Sequence, residues 1–217
     1  MYQPKCILIV TGGTVCLEFL ADYIRCNNPD FIIGVDKGLD SLVKLDIKPQ
    51  LIIGDFDSAD KVAKELYEDS PNTIILNPNK DFTDTHAACV EAIKLKPEQV
   101  DIIGATGTRL DHVSGNIALL KLFVDAGITA TIRDTNNKIT MIDKHYKICR
   151  KDMFGKYISC IPFSDKVSGI SISGFCYDLE DATMIKADTI GISNELREEE
   201  GHIYVGEGCL LIMETRD

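Results

Sequence analysis

No stretch of this 217-residue chain approaches the roughly 18 unbroken apolar residues that a membrane-spanning helix needs. The N-terminus, Met1-Tyr2-Gln3-Pro4-Lys5, leads straight into a short apolar segment ending in Thr-Gly-Gly. It has no h-region and no small-residue cleavage site, so no signal peptide is expected. There is no run of Lys or Arg. With 23 basic residues against 34 acidic ones the net charge is −11, the wrong sign for a protein whose affinity comes from neutralising nucleic-acid phosphates. There is no C-x-x-C and no H-E-x-x-H, and the four histidines His86, His112, His145 and His202 are dispersed, which argues against a zinc site. Without an export signal, the eight scattered cysteines are expected to be reduced, mostly buried thiols of a cytoplasmic protein. A G-x-x-x-x-G-K-[ST] loop and a complete G-x-G-x-x-G are also lacking, so Gly12-Gly13 alone is weak evidence for phosphate binding. What remains is a chain that is 45% hydrophobic, enough to build a core and too much for a disordered protein.

The first part of the chain alternates between two periods. Lys5–Val10, Phe31–Asp36, Leu51–Asp55, Thr73–Leu76 and Asp101–Gly104 are short runs rich in Ile and Val, without polar alternation. Such runs fit strands buried on both faces of a parallel sheet. Between them, Val15–Arg25, Ala59–Tyr67, Asp84–Leu95 and Asp111–Ala126 carry helical spacing, with Gly127 as a C-terminal stop. The pattern predicts an α/β domain over residues 1–127, Rossmann-like, with helices on both faces of the sheet. Beyond Gly127 the segments, from Thr129–Arg133 to Cys209–Glu214, are short, often alternating, and punctuated by Gly, Asn, Asp and Ser. They predict an antiparallel β-sandwich domain over 128–217.

In open α/β sheets ligands bind outside the carboxyl ends of the strands. Acidic residues follow four of the five expected strands: Asp36, then Asp55 and Asp57, then Asp81 and Asp84, then Asp111. Two unit charges about 4 Å apart at an effective dielectric of about 20 repel by roughly 4 kcal/mol, so a cation is expected among them. Asp55 and Asp57, at i and i+2 in extended chain, point the same way, and Asp84 joins them from the next loop; three oxygen ligands with water and phosphate describe a Mg²⁺ site. Each of these residues taken alone also reads as a helix cap; the set is denser than capping requires. Lys80 and Arg109 bring positive charge to the same edge, either for phosphate or for local pairing with Asp81 and Asp111.

Three ordered motifs carry a family resemblance: Gly54-Asp55-Phe56-Asp57-Ser58, Lys80-Asp81-Phe82-Thr83-Asp84 and Gly104-Ala105-Thr106-Gly107-x-Arg109-Leu110-Asp111-His112. A fourth, Gly191-Ile192-Ser193-Asn194-Glu195, lies near the C-terminus. Together they resemble the thiamine pyrophosphokinase family, bacterial type, over essentially the whole chain. The resemblance implies Mg²⁺-dependent transfer of a pyrophosphoryl group from ATP to the hydroxyl of thiamine, giving thiamine diphosphate and AMP. It also implies a homodimer whose site is shared between the α/β domain of one subunit and the β domain of the other. Carried over by motif position, Asp55, Asp57 and Asp84 handle the metal, while Lys80, Thr83 and Arg109 hold the phosphates, with Gly12 and Gly13 beside them. Asp36 and Asp111 line the site, Asp111 as a candidate to orient or deprotonate the hydroxyl, and Ser193 and Asn194 approach the aminopyrimidine. Eukaryotic members use a Trp near the thiamine ring; this chain has none, and Phe175 or Tyr177 are the aromatic candidates to replace it. Lys37 stands where many members have a second Gly.

Two other readings compete on sequence alone. One is pyrophosphoryl transfer to a different hydroxymethyl heterocycle, such as a pterin. The other is a non-catalytic thiamine- or nucleotide-binding module, which has less need of so dense an acidic edge.

Overall fold

The computed structural model describes residues 3–54, 72–77 and 81–217. Asp55, Asp57 and Lys80, and the helix expected over Ala59–Tyr67, lie outside the described residues. The chain divides into two compact units, Met1–Thr135 and Asn136–Asp217.

The first unit is a six-stranded parallel sheet of β1 (Cys6–Val10), β2 (Phe31–Val35), β3 (Leu51–Gly54), β4 (Thr73–Ile75), β5 (Gln99–Ile103) and β6 (Thr129–Arg133). The spatial order is β4-β3-β2-β1-β5-β6. Four helices are described: α1 (Leu17–Asn27), α2 (Gly38–Lys44), α3 (Asp84–Lys94) and α4 (Leu110–Asp125). The unbroken apolar runs have a direct cause. Ile7, Leu8, Ile9 and Val10 are all 0% exposed, so neither face of β1 meets water. Leu8, Val10, Ile32 and Ile103 pack with Leu20 and Tyr23 of α1 and Leu42 of α2. Ile7 and Ile9 point by alternation to the opposite face, and α3 and α4 pack against each other and bury Ala88, Cys89, Ala92, Leu120 and Phe123. α1 stops because Asn28 turns left-handed (φ 44°) and returns its N–H to the Ile24 carbonyl.

The second unit is a β-sandwich. One antiparallel sheet has the order β12 (Asn194–Glu195), β9 (Tyr157–Pro162), β14 (Leu210–Thr215), β7 (Asn137–Ile142). The other has the order β11 (Leu179–Ile185), β10 (Lys166–Ser173), β13 (Glu200–Tyr204), β8 (His145–Cys149). Both contribute to one core, in which Ile148, Ile158, Ile170, Phe175, Ile203 and Leu210 meet.

The α/β class followed by a β-sandwich agrees with the sequence expectation. The boundary needs correcting. Thr129–Arg133 was expected to open the β domain, but it pairs in parallel with β5 from Gln99↔Thr129 to Ile103↔Arg133 and closes the first sheet. The division therefore falls at Thr135, not at Gly127. Helix α2 was also missed, because seven residues are too few to display a period. All eight cysteines are free thiols, but Cys16, Cys26 and Cys176 are exposed, so burial accounts for only part of the set. Burial pushes the thiols of Cys89 and Cys160 up to about 12, which leaves them unreactive. No described helix is long and apolar enough to cross a membrane.

One buried charge pair ties the sheet's last strand to its neighbour. Asp101 of β5 is wholly buried, and it accepts a hydrogen bond from Arg133 Nε of β6 at 2.5 Å and another from Gln99 Nε2. Removing the guanidinium strands a carboxylate in an apolar interior. Arg133→Ala should cost about 3–5 kcal/mol, read as a lowered urea midpoint with an unchanged slope. A midpoint within experimental error of wild type would show that Asp101 finds another partner.

Candidate active site

The strand order reverses direction between β1 and β5, since the chain builds outward to β4 on one side and to β6 on the other. Crevices form at such switch points, where adjacent loops leave in opposite directions. A cleft of about 560 Å³ lies there, walled by Thr11 to Thr14 after β1 and by Gly104 to Arg109 after β5. Asp36 and Lys37 after β2, Thr83 to Thr85 at the start of α3, and His112, Val113 and Asn116 of α4 complete it.

Two loops are zipped together at its base. Thr11 N–H donates to the Ile103 carbonyl at 2.9 Å, Gly13 N–H to Gly104 at 2.7 Å, and Thr14 N–H to Thr106 at 2.8 Å. A Cβ at Gly13 would lie 2.3 Å from both the Gly104 and the Thr106 carbonyl oxygens, so only glycine allows this approach. Gly13 therefore serves loop-to-loop packing, and its amide is already taken. Gly12 is exposed on the cleft wall.

The acidic groups are placed by equally local causes. Asp36 has a left-handed backbone (φ 44°), a conformation Asp tolerates better than most residues. Its N–H donates to Ile53 and its carbonyl accepts from Leu39, which turns the chain from β2 into α2. A Cβ on Gly54 would meet Asp36 Oδ1 at 2.3 Å, so this carboxylate packs directly on the residue that precedes Asp55. Thr83 caps α3, its Oγ1 accepting from His86 N–H at 3.1 Å, which leaves the hydroxyl proton free to be donated. Asp84 follows in the first helical turn, at the positive end of the dipole. Thr85 and Thr11 share a buried hydroxyl–hydroxyl hydrogen bond of 2.7 Å that joins the α3 start to the end of β1.

Arg109 donates to both carboxylate oxygens of Asp111, Nη2 to Oδ2 at 2.6 Å and Nε to Oδ1 at 3.3 Å. This hydrogen bonding holds the Asp111 carboxyl down at about 2. Both side chains are largely exposed, 69% and 65%, so the pair is worth little and the guanidinium can exchange partners readily.

Of the residues expected from sequence, the cleft brings together Gly12, Gly13, Asp36, Thr83, Asp84 and Arg109. Asp111 is attached to it through Arg109. Ser193 and Asn194 belong to the second unit. Ser193 is left-handed (φ 57°) and its N–H donates to Ser159 Oγ at 3.0 Å. Asn194 is 7% exposed; its Oδ1 accepts from Tyr177 N–H at 3.0 Å and its Nδ2 donates to the Tyr177 carbonyl at 2.7 Å. Of the two aromatic candidates, Phe175 is 0% exposed within the sandwich core and can stack on nothing bound outside it; Tyr177 is 72% exposed. Lys37 sits in right-handed helical conformation (φ −59°), so nothing there requires glycine, and it adds an exposed cation to the cleft wall.

Sequence reasoning missed Thr11, Thr85, Asn116 and the cleft role of His112. His112, Val113 and Asn116 stand at i, i+1 and i+4, one face of α4, and a carboxamide among Val113, Ile117, Leu119 and Leu120 is the signal that could have been read.

The donors that fit a metal here are hard. Asp36 and Asp84 offer carboxylate oxygens, the ligand type Mg²⁺ prefers, and the cleft offers no thiolate. Among the described residues no three His, Cys, Asp or Glu side chains converge on one point. Asp55 and Asp57 lie outside them.

The hold of Arg109 on Asp111 can be measured directly. In Arg109→Ala the Asp111 carboxyl should titrate upward from about 2 toward the ordinary aspartate value of 3.8, followed by ¹³C NMR of the side-chain carboxyl. An unmoved titration would mean that another group depresses it.

With that geometry in place, comparisons identify the relatives. The family model described as thiamin pyrophosphokinase, catalytic domain, matches residues 25–132, and that described as thiamin pyrophosphokinase, vitamin B1 binding domain, matches residues 145–210. Thiamine pyrophosphokinase of Bacillus subtilis (strain 168) is 34% identical over 215 residues, covering 98% of this chain and 100% of the relative. The crystal structure of the Bacillus subtilis enzyme matches with a TM-score of 0.87 at 32% identity, covering 98% of this chain and 100% of that one. That of thiamin pyrophosphokinase from Geobacillus thermodenitrificans gives 0.83 at 30% identity, covering 98% of each. Sequence likeness at this level, sustained along both units, makes this chain a member of the thiamine pyrophosphokinase family.

Proposed function

We propose that the protein transfers a pyrophosphoryl group from ATP to the hydroxyl of thiamine, releasing thiamine diphosphate and AMP. The observation that carries this reading is the cleft at the β1/β5 switch point, lined by Asp36, Asp84 and Arg109 in a chain of this family. In the reaction the thiamine hydroxyl oxygen bonds to the β-phosphorus of ATP. The bond from that phosphorus to the oxygen bridging to the α-phosphate breaks, and AMP leaves with the electron pair. Phosphoryl transfers of this kind ask little covalent work of a protein; alignment and charge neutralisation supply the catalysis.

Arg109 turns its fork from Asp111 to the phosphate oxygens, which suits a bidentate grip. Thr83 donates its hydroxyl proton to a phosphate oxygen, and Gly12 admits the chain of phosphates close to the backbone. Lys80 adds a point charge. Asp84, with Asp55 and Asp57, would hold Mg²⁺, which when bound neutralises and orients phosphate oxygens. Once Arg109 moves to phosphate, the Asp111 carboxylate is released to orient the hydroxyl or accept its proton.

Ser193 is read as contacting the aminopyrimidine, with the exposed Tyr177 ring as the aromatic surface for thiamine. A homodimer with a shared site belongs to the same reading, supported by the exposed Ile190 and Ile192 beside Ser193. A cytoplasmic setting fits eight free thiols.

The deciding experiment is product analysis with Mg²⁺, ATP and thiamine. Thiamine-dependent AMP together with thiamine diphosphate is expected; ADP with thiamine monophosphate, or no product, would overturn the reading. Asp84→Asn should fold normally and lose about 10²–10³ in kcat, and near-normal turnover would remove it from the site. Ser193→Ala should raise the KM for thiamine by roughly threefold to tenfold while leaving that for ATP alone. The reverse pattern would contradict its assignment.

A further inference from the structure

The loop after β5 is held in an unusually complete way. Each carbonyl from Ile103 to Thr106 has a donor. Ile103, Gly104 and Thr106 are bonded by the amides of Thr11, Gly13 and Thr14. The fourth, Ala105, is buried, and its carbonyl accepts from a side chain instead: Asn116 Nδ2, at 2.8 Å, from the second turn of α4. At the far side Thr106 Oγ1 donates to Asp134 Oδ2 at 2.7 Å. Gly104, with φ +80°, sets the loop in a left-handed turn that these bonds maintain. Arg109 leaves this loop two residues after Gly107, and among the described residues its side chain bonds to the exposed Asp111. The loop backbone therefore sets the point from which Arg109 reaches into the cleft, while its fork rests on Asp111.

We propose that Asn116 is a positioning residue for the phosphate donor: by holding the Ala105 carbonyl it fixes the Gly104–Thr108 loop and so the direction in which Arg109 reaches into the cleft. Asp134, through Thr106, is the second anchor of the same clamp. The proposal rests on the reading of the cleft as a nucleotide triphosphate site. It assigns Asn116 to ATP alone, acting through Arg109, with no part in holding thiamine.

The chemistry of a carboxamide offers a specific test. Asn116→Asp keeps the shape but presents a carboxylate oxygen to the Ala105 carbonyl, where no proton remains to share. Protonation at lower pH restores a donor. At pH 7.5 the variant should bind the non-hydrolysable analogue α,β-methylene-ATP with Mg²⁺ about tenfold more weakly than wild type by calorimetry. Its KM for ATP should rise by a similar factor, with the KM for thiamine within twofold. In an Arg109→Ala background the same substitution should cost less than twofold, because the group it aims is gone. If Asn116→Asp does not fold, Thr106→Val breaks the other anchor and should give the same ATP-selective loss, with Thr106→Ser restoring it. Equal losses for both substrates, full additivity with Arg109→Ala, or unchanged analogue affinity would each overturn the proposal. Because analogue binding does not need turnover, a failed clamp is distinguishable from a failed activity.

Discussion

Everything in the cleft depends on two loops being able to touch. The carboxyl ends of β1 and β5 are adjacent strands at a point where the sheet's order reverses, and their loops would ordinarily diverge. Here they are closed against each other by three successive amide-to-carbonyl bonds, and the closest of these requires that residue 13 have no side chain. Once the loops are joined, the start of α4 and the start of α3 have fixed places. Thr85 reaches Thr11 from one, and Asn116 reaches Ala105 from the other. The charged residues are then carried into position on backbone whose own hydrogen bonds are satisfied.

This division of labour shapes the electrostatics. A chain with 34 acidic and 23 basic residues has to place many carboxylates, some in the sheet and some at the cleft. The arrangement is tolerable because the carboxylates are of two kinds. Asp101 is buried and paired with Arg133, so its charge belongs to the sheet. Asp36, Asp84 and Asp111 lie at helix starts or strand ends, where amide dipoles and a nearby guanidinium offset them.

How much of this could be read from the residues alone follows from what leaves a period behind. Strands β1, β2 and β5, buried on both faces, announced themselves as apolar runs, and the acidic residues that follow β2 and β5 were assigned to one edge by topology alone. The strand β6, Thr-Ala-Thr-Ile-Arg, has the mixed texture of the β segments that follow it; only pairing assigns it to a parallel neighbour, and pairing is not local. Helix α2 is too short for a period. Gly13 was legible as a glycine at a strand end, but its partner is 91 positions away in sequence, so its task of admitting a second loop was not. Phe175 and Tyr177 are two residues apart and chemically alike; strict alternation would send both the same way, but the chain turns there between β10 and β11, and the turn buries one and exposes the other.

The two bonds between Asn194 and the backbone of Tyr177 lock residues 17 apart in sequence into one mechanical element. The carboxamide has both its ends engaged there, as a staple has both its legs driven. Losing the staple frees the backbone that carries the exposed tyrosine ring, so a substitution at 194 acts at 177. Phenotype would then report the posture of one residue under the number of another.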